Sequence, residues 1–265
     1  MKTSLSDVKG YSCPVCMDLG YVISKQGEFS VASVCKCSEH CEICDDFGFT
    51  IEVVEGVSVS RKCKCRMLRD RIKLFNAAGI PARYSDKTLE RYEAFNSSQG
   101  TIKSHLSRYQ DAFSPNAKGV LLYGSTGVGK THLVVSTMRY LALEKGFSVR
   151  FVDFFALLQQ VKATFTNGGS EDAIIAGLDR ADLLVIDELG KGRATEWEKT
   201  VVDSLIARRY NSGKTLFITT NYDVKDGRAG GLPERVGMRV MSRLYEMCEF
   251  FSIDGDDYRK GLSKN

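Results

Sequence analysis

The stretch Val120-Leu121-Leu122-Tyr123-Gly124-Ser125-Thr126-Gly127-Val128-Gly129-Lys130-Thr131 decides how the larger part of this chain folds. Four consecutive apolar or aromatic residues read as a buried strand, and the residues from Lys130 onward read as a helix. Between them lies G-x-x-x-x-G-K-[ST], in the strand-then-helix context that this phosphate-binding loop requires. Glycines let backbone N–H groups wrap phosphate oxygens, and the helix N-terminus adds a favourable dipole. Gly124, Ser125, Thr126, Gly127, Val128 and Gly129 therefore form the cradle, Lys130 reaches the β- and γ-phosphates, and the Thr131 hydroxyl suits a Mg²⁺ ligand. The plainer alternative is an ordinary glycine-rich turn, which has no need of the flanking strand and helix.

A second buried strand, Leu183-Leu184-Val185-Ile186, delivers Asp187 and Glu188 at its C-terminal end. Ligand chemistry in open α/β sheets gathers at such ends. Asp187 suits the Mg²⁺ shell, and Glu188 can orient and activate an attacking water, which equips the site for hydrolysis. A third strand, Thr215–Thr220, ends in Asn221, a polar side chain able to bond a γ-phosphate or the lytic water. Further strands are expected at Ser148–Asp153 and Glu249–Asp254. Helices are expected at Lys130–Lys145, Phe154–Phe165, Glu196–Asn211 and Pro233–Met247. Alternation of strand and helix, with right-handed crossovers, gives a three-layer α/β domain: a parallel sheet between helices.

Eight of the nine cysteines form two copies of one pattern. Cys13, Cys16, Cys35 and Cys37 are repeated 28 residues later as Cys41, Cys44, Cys63 and Cys65, each copy reading C-x2-C, eighteen residues, C-x-C. Asp18-Leu19-Gly20-Tyr21 matches Asp46-Phe47-Gly48-Phe49, and Lys36 matches Lys64. The intervening segments alternate like hairpins that turn near Gly27 and at Glu55-Gly56. Close thiol pairs brought together by a hairpin are the zinc-ribbon arrangement, so the eight cysteines are read as Zn²⁺ ligands. A disulfide framework suits small secreted domains, but Met1–Gly10 has no apolar signal stretch and the chain is expected to be cytoplasmic. Sequential and interleaved ligand sets both satisfy the spacing; sequential is simpler, and His40 beside Cys41 stands as a substitute ligand in one shell.

Composition bounds rather than decides. At 265 residues the chain has room for one full domain and a small one, and 43% hydrophobic with 26% charged residues is ordinary for a globular protein. No run approaches the ~18 apolar residues of a membrane span. A net charge of +4 does not by itself argue for nucleic acid. Arg61, Lys62, Lys64, Arg66, Arg69, Arg71 and Lys73 oppose only Asp70, a basic segment that reads either as a solvated face or as a phosphate contact. Cys248, in apolar surroundings, reads as core packing. Met67–Phe75 reads as a helix ended by Gly79-Ile80-Pro81, and Asn96–Gly100 as a polar break. The resulting plan is residues 1–68 for two β-rich ribbons, 69–100 for a helical linker and 101–265 for the nucleotide domain.

The order of motifs resembles the AAA+ ATPases of the DnaC/DnaI helicase-loader family and the related IstB transposition ATPases. The resemblance runs from about Gly79 to Asn265. It includes Gly79-Ile80-Pro81-Ala82-Arg83-Tyr84, Val161-Lys162-Ala163-Thr164-Phe165, Leu183–Gly190, Ile206-Ala207-Arg208-Arg209, a late Arg239-Val240-Met241-Ser242-Arg243-Leu244 and the ending Asp257-Tyr258-Arg259. It implies an ATP site completed by an arginine from a neighbouring subunit, with Arg243 as the finger and Arg239, one helical turn earlier, as an accessory phosphate contact. It implies that no separate lid follows, since 22 residues remain after Arg243. It also implies a pore segment in which Lys162 meets a phosphate and Phe165 stacks on a base of single-stranded DNA; a Phe at helical spacing from Leu158 and Val161 is otherwise core.

The expected function is ATP-dependent loading of a replicative helicase onto single-stranded DNA at replication initiation. The N-terminal module would grip the helicase, and an oligomer would share its ATP sites. The alternatives are an IstB-like ATPase regulating a transposase, a metabolic P-loop NTPase or kinase with a structural zinc module, and a zinc-dependent adaptor with a retired site. A metabolic enzyme has no need of Asn221 or the Arg239/Arg243 pair. A retired site has no need of Lys130, Thr131, Asp187 and Glu188 together.

Overall fold

The structure, a computed structural model, describes residues 12–225 and 229–261. The described chain divides into two compact units, residues 12–86 with 142–147, and residues 87–141 with those from 148 onward. The division falls after Asp86, inside the stretch expected as a linker.

The first unit holds two antiparallel hairpins, β1 (Tyr21–Gln26) with β2 (Phe29–Val34), and β3 (Phe49–Val54) with β4 (Val57–Lys62). Turn chemistry fixes the register of both. Gly27 takes φ +56° in the first, and Glu55 and Gly56 take φ 52° and 80° in the second. Positive φ at both central residues is the turn that matches strand twist, and it closes the ladder on Val54 opposite Val57. Helix α1 (Lys64–Ala77) grows directly out of the second hairpin, with Cys65 in its first turn, and packs on β2. It is longer at both ends than the helix expected from Met67 to Phe75.

In the second unit, α2 (Ser97–Ala112) precedes β5 (Gly119–Gly124) and α3 (Lys130–Tyr140). The chain continues through β6 (Val149–Asp153), α4 (Phe154–Asn167), α5 (Glu171–Asp179), β7 (Leu183–Asp187), α6 (Glu196–Asn211) and β8 (Thr215–Thr220). It ends with α7 (Leu232–Val236), α8 (Met238–Met247), β9 (Cys248–Ile253) and the short α9 (Tyr258–Gly261). The five strands form one all-parallel sheet in the order β6-β7-β8-β5-β9. The α/β expectation holds. Two details differ from the sequence pattern. The polar break at Asn96 is the N-cap of α2, its side chain accepting the Gln99 N–H. The helix expected over Pro233–Met247 is divided at Gly237, whose φ of 92° no helix accommodates.

Sheet and helices bury apolar side chains on both faces of the sheet. Leu121, Leu122, Leu184, Val185, Leu216, Phe217 and Ile218 are fully buried, and each such side chain contributes roughly 1.5–3 kcal/mol. Cys248 belongs to the buried core, as its apolar setting suggests. Arg209 is the largest fully buried side chain among the described residues. Its guanidinium is wholly buried and donates to the carbonyls of Ala181 (2.6 Å), Asp179 (3.2 Å), Asp182 (3.3 Å) and Thr215. It ties the end of α5 to the starts of β7 and β8. Among the described residues, no helix is long and apolar enough to cross a membrane.

Candidate functional site

Strand order builds the first site. β8 lies between β5 and β7, so the loop after β5, the acids after β7 and the end of β8 share one edge of the sheet. Thr131, first turn of α3, donates its hydroxyl to Asp187 Oδ1 (2.9 Å), and Thr219 of β8 donates to the same oxygen (2.6 Å). Thr219 Oγ1 also accepts the Glu188 N–H at 3.0 Å. One hydroxyl thus holds both acids in place. Glu188 has φ 57°, the left-handed region that non-glycine residues occupy at a cost and that recurs at functional turns. Its carboxylate is ion-paired with Lys191. Burial raises the Asp187 pKa, against the two hydroxyl donors that favour its charged form.

Lys130 is 7% exposed and donates to the carbonyls of Gly124 (2.8 Å) and Ser125 (2.7 Å). Burial brings its ammonium pKa down to about 8, although Asp187 and Glu188 pull upward. The loop requires glycine at three positions: Gly124 has φ +131°, and a Cβ there would lie 2.2 Å from the Ile253 carbonyl oxygen. Gly127 has φ +85°, and a Cβ there would lie 2.0 Å from the Asp257 carboxylate; Gly129 has φ +90°, and a Cβ would lie 2.5 Å from the Tyr92 ring. Tyr92 also bonds the loop, its hydroxyl donating to Val128 O (2.9 Å), and the residue after Asp257 does too, the Tyr258 N–H donating to Gly127 O (3.1 Å). The ending Asp257-Tyr258 is therefore a brace behind the phosphate loop. The residues fit a nucleoside triphosphate with Mg²⁺: a left-handed glycine loop opening a helix, a buried lysine, and a hydroxyl and carboxylate in contact.

Asn221 follows β8 directly and is exposed. Arg239 and Arg243 lie on α8, both toward Asp203 of α6, at 3.7 Å and 2.5 Å. They differ in access. The Arg239 side chain is 77% exposed and that of Arg243 25%, the latter also lying over the Tyr210 ring. On α4, Lys162 is exposed and Phe165 is 65% exposed, its ring meeting Trp197 edge-on at 6.1 Å. Phe165 is thus not a core residue, despite its helical spacing from Leu158 and Val161.

Besides Tyr92, sequence reasoning missed Thr219, Lys191, Asp203 and Arg235 among the side chains that hold this site. Arg235 donates to the carbonyls of Gly190 (3.0 Å) and Gly192 (3.2 Å) and lies over the Tyr222 ring, fixing the turn that follows Glu188. Thr219 had a signal, because it shares a strand end with Asn221. The others act through contacts that no spacing reveals.

The second candidate site is the pair of cysteine clusters. Cys13, Cys16, Cys35 and Cys37 come together, and separately Cys41, Cys44, Cys63 and Cys65, with all four sulfurs of each set within 4.8 Å. The sets are sequential, one per repeat. Closest sulfur pairs are 3.9 and 3.4 Å in the first, 3.7 and 3.4 Å in the second. Four thiolates about 2.3 Å from a tetrahedral Zn²⁺ lie roughly 3.8 Å apart, so the spacing fits that ion and no disulfide. Backbone N–H groups of Cys16 and Val15 hold the Cys13 thiol down at about 7, which favours the ligating thiolate. His40 does not join a shell. Its Nδ1 is paired with Asp46 at 2.7 Å, and Asp46 also accepts the Cys41 N–H at 2.9 Å. Asp18 does the equivalent work in the first repeat, accepting from Ser12 and Cys13.

Comparison with known proteins places these sites in context. The profile of a family described as "IstB-like ATP binding protein" matches residues 42–265. A curated relative, the replicative helicase loader DnaC of Escherichia coli K12, is 29% identical over 173 residues, covering 65% of this chain and 68% of that protein. The crystal structure of the DnaC helicase loader superposes with a TM-score of 0.59 at 32% identity, covering 65% of this chain and 99% of that one. A crystal structure of DnaI, 20% identical with a TM-score of 0.55, covers 67% of this chain and 93% of that one and shares the fold.

Proposed function

Since the chain belongs to the family of IstB-like ATP-binding proteins, we propose that it is an ATP-hydrolysing loader that places the replicative DNA helicase on single-stranded DNA. The observation that carries this reading is the connected set Thr131–Asp187–Thr219–Glu188 beside a buried Lys130, in a domain similar over two thirds of the chain to helicase loaders. Lys130 and the loop N–H groups bind the β- and γ-phosphates. Thr131 and Asp187 would hold Mg²⁺, which supplies neutralisation of phosphate charge. Glu188 orients the attacking water and takes up its proton, while Lys191 must yield that carboxylate for the step to proceed. Asn221 bonds the γ-phosphate or the water. Arg243, with Arg239 beside it, reaches a neighbouring subunit's ATP and stabilises charge on the transferred phosphoryl group. The more exposed Arg239 is the readier of the two to meet a partner, whereas Arg243 has to leave Asp203. Lys162 and Phe165 contact single-stranded DNA, by phosphate and by stacking. Each cysteine set holds one Zn²⁺, and the module they fold grips the helicase.

An IstB-like role beside a transposase is the second reading, favoured by the name of the family profile. It shares the ATPase chemistry and differs in partner. The deciding experiment is helicase delivery onto protein-coated single-stranded circles. Wild-type chain with ATP should load active helicase, and Glu188→Gln should bind helicase and DNA without releasing them. Failure of the wild type to bind the helicase would overturn the loader reading.

A further inference from the structure

The two cysteine repeats are alike in sequence and unlike in cover. In the first, α1 packs on β2, and the segment after it returns along the open edge of that strand. The Ser30 N–H donates to Ile80 O (2.8 Å), the Ala82 N–H donates to Glu28 O (2.8 Å), and Phe29 and Pro81 form an antiparallel bridge. The Ser30 hydroxyl adds a bond to Pro81 O at 2.9 Å. One step along, Asn76 satisfies both the N–H and the carbonyl of Ala32, at 2.7 and 3.0 Å. The chain's own Ile80-Pro81-Ala82 thus covers the edge of the first ribbon through one antiparallel bridge at Pro81, and Ser30 and Ala32 are each 2% exposed beneath it.

Adding the repeat of 28 residues carries Glu28, Ser30 and Ala32 onto Gly56, Ser58 and Ser60. The serine with the bonding hydroxyl is retained, and its neighbour stays small. Hairpin register is equivalent, with Gln26 opposite Phe29 in one and Val54 opposite Val57 in the other. Ser58 and Ser60 therefore turn their N–H and C=O groups outward, as Ser30 and Ala32 do. Among the described residues nothing pairs with them, and every residue of β4 is exposed. The adjoining face is apolar and open as well. Ile51 and Val53, opposite Ser60 and Ser58, are 76% and 72% exposed. An open edge beside bare β-branched side chains is a liability that proteins normally cover or charge.

We propose that the outer edge of β4 takes an extended segment of the partner protein as an added antiparallel strand, occupying on the second ribbon the place that Ile80-Pro81-Ala82 occupies on the first. The segment is small or apolar in side chain, because it lies against Ser58 and Ser60 on a sheet face that carries Ile51 and Val53 one strand further in. Its backbone supplies an acceptor for the Ser58 N–H and hydroxyl and a donor for Gly56 O, the strand-addition mode of peptide recognition. Identifying the partner as the helicase rests on the function proposed above.

The test uses the full chain and the replicative helicase of the same organism. Ser58→Pro deletes an outward N–H that takes no part in the hairpin ladder, a position where an edge strand tolerates proline. Zinc content and ATP hydrolysis should be unchanged in this variant, and its affinity for the helicase should fall at least tenfold. In the wild-type complex, hydrogen exchange at the Ser58 and Ser60 amides should slow, a measurement that stands even if the variant misfolds. Helicase binding with both amides still exchanging at the free rate, or with zinc-replete Ser58→Pro binding at wild-type strength, overturns the edge and leaves the loader reading intact. A wild-type chain that binds no helicase overturns both.

Discussion

Thr219 binds two acids with one hydroxyl, and that economy sets what single substitutions in the ATP site should do. Glu188→Gln keeps the backbone bond to Thr219 and loses the proton acceptor together with the ion pair to Lys191. Nucleotide affinity should therefore be retained while kcat falls about 100-fold or more, the usual range for a lost general base. Lys130→Ala should instead weaken nucleotide binding itself; fluorescent-nucleotide titration and steady-state hydrolysis separate the two. The buried ammonium also makes stability depend on pH. Its pKa is about 8 when folded against 10.5 in the free side chain, so between these values the unfolded chain holds more protons and stability rises with pH. The strain is fully present below pH 8 and gone above 10.5, with a ceiling of about 3 kcal/mol. Denaturant midpoints at pH 7.5 and 10 should show this rise in the nucleotide-free wild type relative to Lys130→Met. A difference that does not change with pH would refute it.

Elements are joined where the chain leaves carbonyls to be satisfied. Arg209 answers four of them, one at the end of α5 and three at the starts of β7 and β8. Burial lowers its pKa to about 10, so it remains charged at neutral pH. Arg209→Leu keeps an apolar side chain but removes the guanidinium from the carbonyls of Ala181, Asp182 and Thr215, while Asp179 O keeps the Lys214 ammonium at 2.8 Å. Unfolding free energy should fall by about 3–5 kcal/mol, as when one side of a buried polar network is removed. Calorimetry checks this, and a loss under 1 kcal/mol would mean water replaces the guanidinium. The resemblance of Ile206-Ala207-Arg208-Arg209 to a nucleotide-binding family thus has a structural basis at its last residue.

At the scale of the whole molecule, metal and assembly are the open variables. Each repeat supplies four converging thiols, so purified protein should carry two Zn²⁺ per chain by elemental analysis. Chelation should unfold the ribbons, because two-stranded sheets lack a core of their own, and exchange should accelerate from Cys13 to Cys65 while β5–β9 stay protected. Assembly is tested through Arg243. If it acts across subunits, Arg243→Ala chains bind ATP and fail to hydrolyse it, and mixing with Lys130→Ala chains restores part of the activity. An absence of rescue at every ratio would make the arginine a local one, held by Asp203.

The phosphate loop, the acidic strand end and the eight cysteines were legible in the sequence because each depends on local geometry. A loop between strand and helix, a polar residue ending an apolar run and a pair of thiols two residues apart keep their spacing wherever the chain goes. The same holds for the parallel α/β class, which follows from alternating elements. Tertiary structure alone decided which strand lies beside which, and so brought Thr219 to Asp187 and Glu188 across strands 31 and 32 residues apart in sequence. It alone paired each cysteine set within its own repeat, drew His40 away to Asp46, and turned Asn96 from an apparent boundary into a helix cap. It also made two hairpins of equivalent register unequal, because only one has Ile80-Pro81-Ala82 within reach of its edge. Hydrogen bonds between distant segments are set by where packing brings their backbones, and no pattern along the chain encodes that distance.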